Sequence, residues 1–318
     1  MMRTIIVSIV GLLVAVVMCS AAVAPADLTK TIDAHYAAVS ALGLTPDGTA
    51  LFSAGRDGRI KLWDTTTLEM LLDVPACQVA INDLAVSADG TFIATASQDG
   101  YIKVWDALTA DLLVAIPAHK GAATAVAISP DSLFIYSGGD DGFVRSWSIE
   151  ENYAKVIETF THYNGVTDIT LNAAGSYLFS CGYDGYVKIL EAQEGRIENS
   201  FIAFDRGNPV CLRLNHLEAC LAVGGSNGEI RVFDAATNSL VKTIRAHAGT
   251  VDHLDFIDDD SLMVSGGEDG KLKLWNREGE LAGEMQSHVL GVRAFLMSGD
   301  TLYTGGADYK VRVWAKKF

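Results

Sequence analysis

Proline is scarce, at 6 of 318 residues, and no Pro/Ser-rich or charge-run segment splits the chain. One continuous architecture is expected rather than several linked domains. Basic residues are also few: 24 Lys and Arg stand against 39 Asp and Glu, a formal net charge of −15. Nucleic-acid binding depends on Lys and Arg neutralising phosphates, so that class of partner is disfavoured. Docking on anionic lipid is disfavoured for the same reason. Catalytic signatures are missing too. No Gly-x-Ser-x-Gly nucleophile elbow is expected, and there is no His-Glu-x-x-His, no phosphate-cradling Gly-Lys-Ser/Thr and no Cys-x-x-Cys-His. What is abundant is apolar surface, 49% of residues, which excludes disorder and supports a large core.

One apolar run stands apart. Arg3 is followed by the nearly unbroken apolar stretch Ile5 to Met18, then by small residues ending in Ala24-Pro25-Ala26. This is the pattern of an export signal, with cleavage expected before Asp27 or after Ala22. The competing reading is an uncleaved anchor, because residues 4–24 are long enough to span a bilayer. The expected organisation is therefore residues 1–26 as signal or anchor and 27–318 as the folded domain. The expected location is exported, periplasmic or secreted, or else membrane-anchored. The membrane is contacted only through this segment.

The rest of the chain repeats. The signal "x-Asp-Gly", followed by an alternating strand, occurs as RDGRIKLWD, QDGYIKVWD, DDGFVRSWS, YDGYVKILE, SNGEIRVFD, EDGKLKLWN and ADYKVRVWA. Its anchors are Asp57, Asp99, Asp141, Asp184, Asn227, Asp269 and Asp308. They recur at a period of about 42 residues, the length of a four-stranded propeller blade. All 5 tryptophans share one position of the repeat: Trp63, Trp105, Trp147, Trp275 and Trp314. Five of the 7 histidines share another: His35, His119, His162, His247 and His288. Within a unit, apolar alternation and turns such as Thr45-Pro46-Asp47-Gly48 read as strands joined by hairpins.

These residues resemble the WD-repeat family, whose units pair a His near the first strand with a Trp-Asp closing the third. The literal Trp-Asp occurs as Trp63-Asp64 and Trp105-Asp106, and is relaxed in the other units. The family's usual Gly before the His is missing; Ala34, Ala118 and Ala246 stand there in three units. The resemblance spans residues 27–318. It implies an all-β, seven-bladed propeller with four-stranded blades. The last unit lacks an outer strand, so the N-terminal segment Leu28 to Asp33 is expected to complete it and close the ring. The resemblance also implies a non-catalytic scaffold for protein partners, with no cofactor and no metal.

The His, Asp and Trp residues are expected to be structural. The sets are His35/Asp57/Trp63, His119/Asp141/Trp147, His247/Asp269/Trp275 and His288/Asp308/Trp314, each fastening a turn to a strand. Family members add a Ser or Thr two residues before the Asp. That position is glycine here in six units, so a truncated network is expected. Unit two has Cys77 at the His position, and unit five is read with Asp205 there and Asn227 at the Asp position. Asp258-Asp259-Asp260 is read as a solvated turn, not a calcium loop. Four cysteines follow the leader, Cys77, Cys181, Cys211 and Cys220, and are expected to be free. Pairing Leu214 with Cys220 places Cys211 opposite Val223, with the two sulfurs on opposite faces.

Function must then lie on surfaces. The residues before each Asp and after each His nominate Tyr163, Tyr183 and Arg206 as the first choice for partner contacts, with Tyr36 and Arg56 beside them. Tyr and Arg are the residues that interfaces favour. The alternative function is an enzyme or ligand-binding propeller that uses its channel mouth. Convergent ionisable groups at one mouth would favour it, and the repeat pattern places none.

Overall fold

A computed structural model describes residues 26–257 and 260–316. Residues 1–26, expected from the sequence to be a signal or anchor, lie outside the described residues apart from Ala26. The described chain forms seven four-stranded antiparallel sheets arranged as blades of a propeller. Blade one runs Val39–Leu44, Ala50–Gly55, Arg59–Asp64 and Met70–Pro75, from the channel outward. Blades two to six repeat this order. Blade seven takes three strands from the C-terminal end, Val292–Ser298, Thr301–Gly306 and Lys310–Ala315. Its fourth is Asp27–Asp33, antiparallel to Lys310–Ala315, with Asp33 opposite Lys310 and Asp27 opposite Ala315. The N-terminal strand thus closes the ring, as the repeat pattern implied.

The core lies between the faces of neighbouring blades. Leu62 and Phe52 of blade one pack in one cluster with Ile81, Leu84 and Trp105 of blade two. Burying each such side chain contributes about 1.5–3 kcal/mol. Because both faces of a blade pack on neighbours, its middle strands are buried almost throughout; Ala50–Gly55 exposes little beyond its first residue. The Asp-Gly turns hold the blades close. Gly58 has φ 76°, and a Cβ there would lie 2.2 Å from the Cys77 carbonyl oxygen, so only glycine suits the position.

Every innermost strand carries a bulge at its start. In blade two, Ile81 pairs with Ser97 while Asp83 pairs with Ala96, leaving Asn82 as the extra residue. In blade five the same step falls between Pro209 and Cys211. From Cys211 to the turn the register is one residue off the expected pairing: Cys211 lies opposite Gly224, and Leu214 opposite Leu221. The turn is the cause: the Asn215 N–H bonds the Cys220 carbonyl, so the hairpin has four loop residues where three were expected, and Cys211 and Cys220 fall on the same face, not on opposite ones. The four cysteines are nonetheless free, with Cys181 and Cys211 buried.

Candidate functional site

Two assemblies of polar side chains recur around the ring. The first fastens each blade internally. In blade one, His35 Nδ1 lies 3.0 Å from Asp57, and His35 Nε2 lies 2.9 Å from Ser53 Oγ. The Trp63 indole N–H donates to the same Ser53 oxygen at 3.0 Å. Blade six repeats this with Asp269, His247, Ser265 and Trp275, and blade seven with Asp308, His288, Thr304 and Trp314. In blades three and four the chain runs from Asp141 through His119 to Ser137, and from Asp184 through His162 to Ser180. The network is therefore complete in blades one, six and seven, where a truncated one was expected, and blades three and four hold its Asp–His–hydroxyl part. Its hydroxyl sits four residues before the Asp.

The glycine two residues before the Asp has a steric reason. A Cβ on Gly55 would lie 2.4 Å from His35 Nδ1, so the imidazole packs directly on the glycine. Blade two shows the converse. Cys77 replaces the His, and Ser97 takes the glycine position and binds Asp99 at 2.6 Å. Burial pushes Asp57 upward, but hydrogen bonds from the His35 ring and the Tyr36 N–H hold it at about 2. Burial also lowers His119, His247 and His288, against the pull of their Asp partners. Each imidazole joins a carboxylate to a hydroxyl, and every one of these hydroxyls is on a residue that is fully buried (Ser53, Ser137, Ser180, Ser265 and Thr304), so the assembly fastens the blade and presents no hydroxyl to a substrate.

Blade five departs from the sequence reading. Phe204, not Asp205, takes the His place: its N–H bonds the Gly185 carbonyl, as His162 N–H bonds Gly142, and its ring packs against Gly225. The following loop is one residue longer, which misled alignment by spacing. Arg231 fills the gap, with its guanidinium 4.7 Å from the Phe204 ring centre and hydrogen bonds to Ala203 O and Asp205. Asp260 departs too. It is buried, accepting from Asn215 Nδ2 and from the N–H groups of His216 and Leu217, so it clasps blade five to blade six. Asp258 and Asp259 lie outside the described residues. Against expectation, the chain does contain the Gly-x-Ser-x-Gly pattern, as Gly224-Gly225-Ser226-Asn227-Gly228. It forms a strand-to-strand turn in which Ser226 Oγ accepts from Asn208 N–H at 2.9 Å, not the strand-to-helix elbow of a hydrolase.

The loop face, where the Asp turns and His loops lie, carries the nominated aromatics. Tyr36 is 82% exposed, Tyr163 69% and Tyr183 48%; Arg56 and Arg206 are also exposed. Tyr163 meets Phe160 edge-on at 5.2 Å, and Phe160 meets Phe143 at 5.3 Å, two aromatics that the repeat positions did not single out. The Tyr183 N–H bonds the Gly165 carbonyl, two residues beyond Tyr163. Asn208, in the amide orientation that satisfies its neighbours, donates to the Tyr183 carbonyl at 3.2 Å. The loops bearing Tyr163, Tyr183 and Arg206 therefore adjoin. Tyr36 stands elsewhere, over Lys61 at 5.5 Å. Arg56 and Tyr183 both line the mouth of the central channel.

The second assembly lines that channel. The bulges turn the second and third residues of each innermost strand toward the following blade. Ser40 Oγ donates to Ile81 O at 2.6 Å, Asn82 Nδ2 to Ala123 O at 2.8 Å and Thr124 Oγ1 to Val166 O at 2.8 Å. At the third position, Asp83 accepts from Val126 N–H and Asp168 from Leu212 N–H, each at 2.9 Å. Arg213 also binds Asp168, and Arg293 binds Asp252 at 2.8 Å. Burial raises Asp83 and Asp252 to about 6 and pushes His253 down to about 3. The ionisable groups that the repeat pattern failed to place do converge here. Their signal was the unmatched residues Asp83, Asp168, Arg213, Asp252 and Arg293 in otherwise equivalent strand positions.

Comparison with known proteins follows the same geometry. The family model described as WD domain, G-beta repeat, matches residues 26–64, 71–106, 111–148, 154–190, 238–276 and 279–315. The unmatched stretch 191–237 holds the three inner strands of blade five, where Phe204, Asn227 and Phe233 replace His, Asp and Trp. Human pre-mRNA-processing factor 17 is 29% identical over 125 residues, 38% of this chain and 21% of its own length. Arabidopsis thaliana Protein ROOT INITIATION DEFECTIVE 3 is 38% identical over 65 residues, 20% of this chain and 15% of its own. Human apoptotic protease-activating factor 1 is 27% identical over 105 residues, 33% of this chain and 8% of its own. The chain thus spans about a fifth or less of these relatives.

Proposed function

Because the chain belongs to the WD-repeat family, whose propellers generally act as non-catalytic scaffolds, we propose that it holds protein partners on its loop face. The observation that carries this reading is the aromatic and arginine surface at blades four and five. Tyr163, Tyr183 and Arg206 are exposed on adjoining loops, with Phe160 supporting the Tyr163 ring. Rigid aromatics beside an arginine gain contact area at low entropic cost. The finer reading is that the protein is exported or tethered through residues 1–26. Support comes from the leader-like composition and from the fold. Asp27 pairs with Ala315, at the end of blade seven away from the Asp308 turn, so an N-terminal tether leaves the loop face free.

The test is substitution of Tyr163, Tyr183 and Arg206 together by Ala, followed by capture of partners from the native source. Partner binding is expected to fall at least tenfold while the melting temperature changes little, since exposed substitutions shift stability by about 0.5 kcal/mol or less. Undiminished capture by the triple variant would exclude this patch and move the search to the opposite face.

A further inference from the structure

Around the ring, large side chains close the grooves between blades, and one groove is left open. On the second strand of a blade the first and third residues share a face. That face meets the following blade: the Tyr136 hydroxyl, at the third position in blade three, donates to Ala192 O in blade four. Five blades place an aromatic ring at one of these positions, as Phe52, Phe92, Tyr136, Phe179 and Tyr303, and blade six has Leu262 and Val264. Blade five has only Cys220 and Ala222, the smallest pair. The turn after the third strand of blade six leaves the same groove unfilled. In blades one and three the left-handed residue of that turn, Leu68 or Tyr153, packs between its blade and the one before. Blade six has Gly279 there, at φ 70°, and a Cβ on it would lie 2.8 Å from Lys242 Cδ.

What remains is an apolar cavity of about 280 Å³ between blades five and six, at the end of the strands away from the Asp turns. Val232, Ile244, Phe256 and Met263 form its wall with the half-buried Cys220, and Leu217 and Val241 stand exposed at its edge. An apolar cavity of about 150 Å³ is enough for benzene, so this one suits a body of about eight to ten carbon atoms. Its charged lining is Lys242 and Arg277 against Asp260. Asp260 is already satisfied: one oxygen meets the N–H and Nδ1 of His216, the other Asn215 Nδ2 and the Leu217 N–H. Arg277 Nε donates to the Asp260 carbonyl at 3.2 Å. Lys242 forms no ion pair among the described residues. Its stem lines the groove, and a lysine stem packs on apolar surface while its ammonium keeps to water. An apolar recess with an uncommitted cation at its edge suits a ligand with a hydrocarbon body and an anionic head.

We propose that this groove binds a small apolar carboxylic acid, with its hydrocarbon body in the recess and its carboxylate at Lys242. The bound acid covers Cys220, whose thiol therefore reports occupancy. The site lies on the face opposite the loop aromatics, so it stands or falls apart from the partner patch.

Calorimetric titration of the full chain tests the assignment. Octanoate and 2-naphthoate serve as acids, octanamide as the body without the charge, acetate as the head without the body, and acetyl-tryptophanamide as a partner's side chain. Saturable one-site binding of an acid is expected, with octanoate at least tenfold tighter than octanamide or acetate. Bound acid should slow alkylation of Cys220 severalfold, read by peptide mass spectrometry, while Cys77 reacts as before. Cys220→Phe supplies the ring that Phe92 and Phe134 supply in blades two and three, and should abolish binding. Lys242→Met should bring octanoate down to the affinity of octanamide. No saturable acid binding, octanamide bound as tightly as octanoate, an unprotected Cys220, or full-strength binding by either variant overturns the proposal. Tighter binding of acetyl-tryptophanamide than of either acid also overturns it, and assigns the groove to a partner's side chain. If Cys220→Phe does not fold, Lys242→Met decides.

Discussion

At the scale of single residues, the pivot of a blade is a hydroxyl. Ser53 takes the Trp63 indole N–H and meets His35 Nε2, while His35 Nδ1 faces Asp57. This order assigns the proton of His35 to Nδ1, a deduction from the network. Ser53→Ala would leave two buried groups, one donor and one acceptor, without partners. At about 1–3 kcal/mol for each unpaired group, the loss should reach about 2–6 kcal/mol. For a chain of this size a thermal melt should fall by roughly 3–10 °C. A loss below about 1 kcal/mol in denaturant titration would show that the hydroxyl is not the pivot.

At the scale of strands, the decisive element is Asp27–Asp33. It lends blade seven its outer strand, placing Leu28 opposite Trp314 and Ile32 opposite Val311. Ile32 is itself buried, in a cluster with Val311 and Tyr303. Removing Leu28 to Asp33 would strip the partners from Lys310–Ala315 and present an unpaired edge, the feature that drives strand-to-strand association. The expected result is a lower melting temperature and aggregation that grows with protein concentration in light scattering. A deletion variant that stays monomeric with an unchanged melting temperature would mean that the ring does not need this closure.

At the scale of the molecule, charge is sorted by depth. Each blade carries a basic residue at one place on its third strand: Lys61, Lys103, Arg145, Lys188, Arg231, Lys273 and Arg312. Several of these cap carbonyls on the preceding loop, as Lys103 does Ala76 O at 3.1 Å and Lys273 does Ala246 O at 2.6 Å. Others pair with the blade's own Asp, as Arg145 with Asp141 and Arg312 with Asp308. These bases are matched inside the blades and channel by buried or half-buried carboxylates, among them Asp57, Asp141, Asp269 and Asp308, so most of the formal net charge of −15 falls on the outer surface. Partners of neutral or basic surface suit it best. The proposed export bears on the same scale. Mass spectrometry of native material is expected to find a chain starting near Val23 or Asp27; intact Met1 in a soluble cytosolic fraction would refute export, and intact Met1 in membranes would favour the anchor.

The sequence by itself determined the number of blades, their strand order and the ring closure, because each is written in a repeated pattern of local turns and alternating strands. His35, Asp57 and Trp63 were legible for the same reason, since their spacing repeats. Ser53 was not assigned, because it is an ordinary small residue until the His and Trp rings close on it from both sides. The turn of blade five was equally hidden: a fourth loop residue leaves the alternation within each strand intact but moves every pairing near the turn by one, as at Cys211. Only the tertiary structure placed Phe204 where a His was expected, since a loop lengthened by one residue offsets a count made along the chain. It alone gathered Asp83, Asp168 and Asp252 around one axis. These residues lie some 85 positions apart in sequence, and what joins them is the rotation of the blades, which no local periodicity encodes.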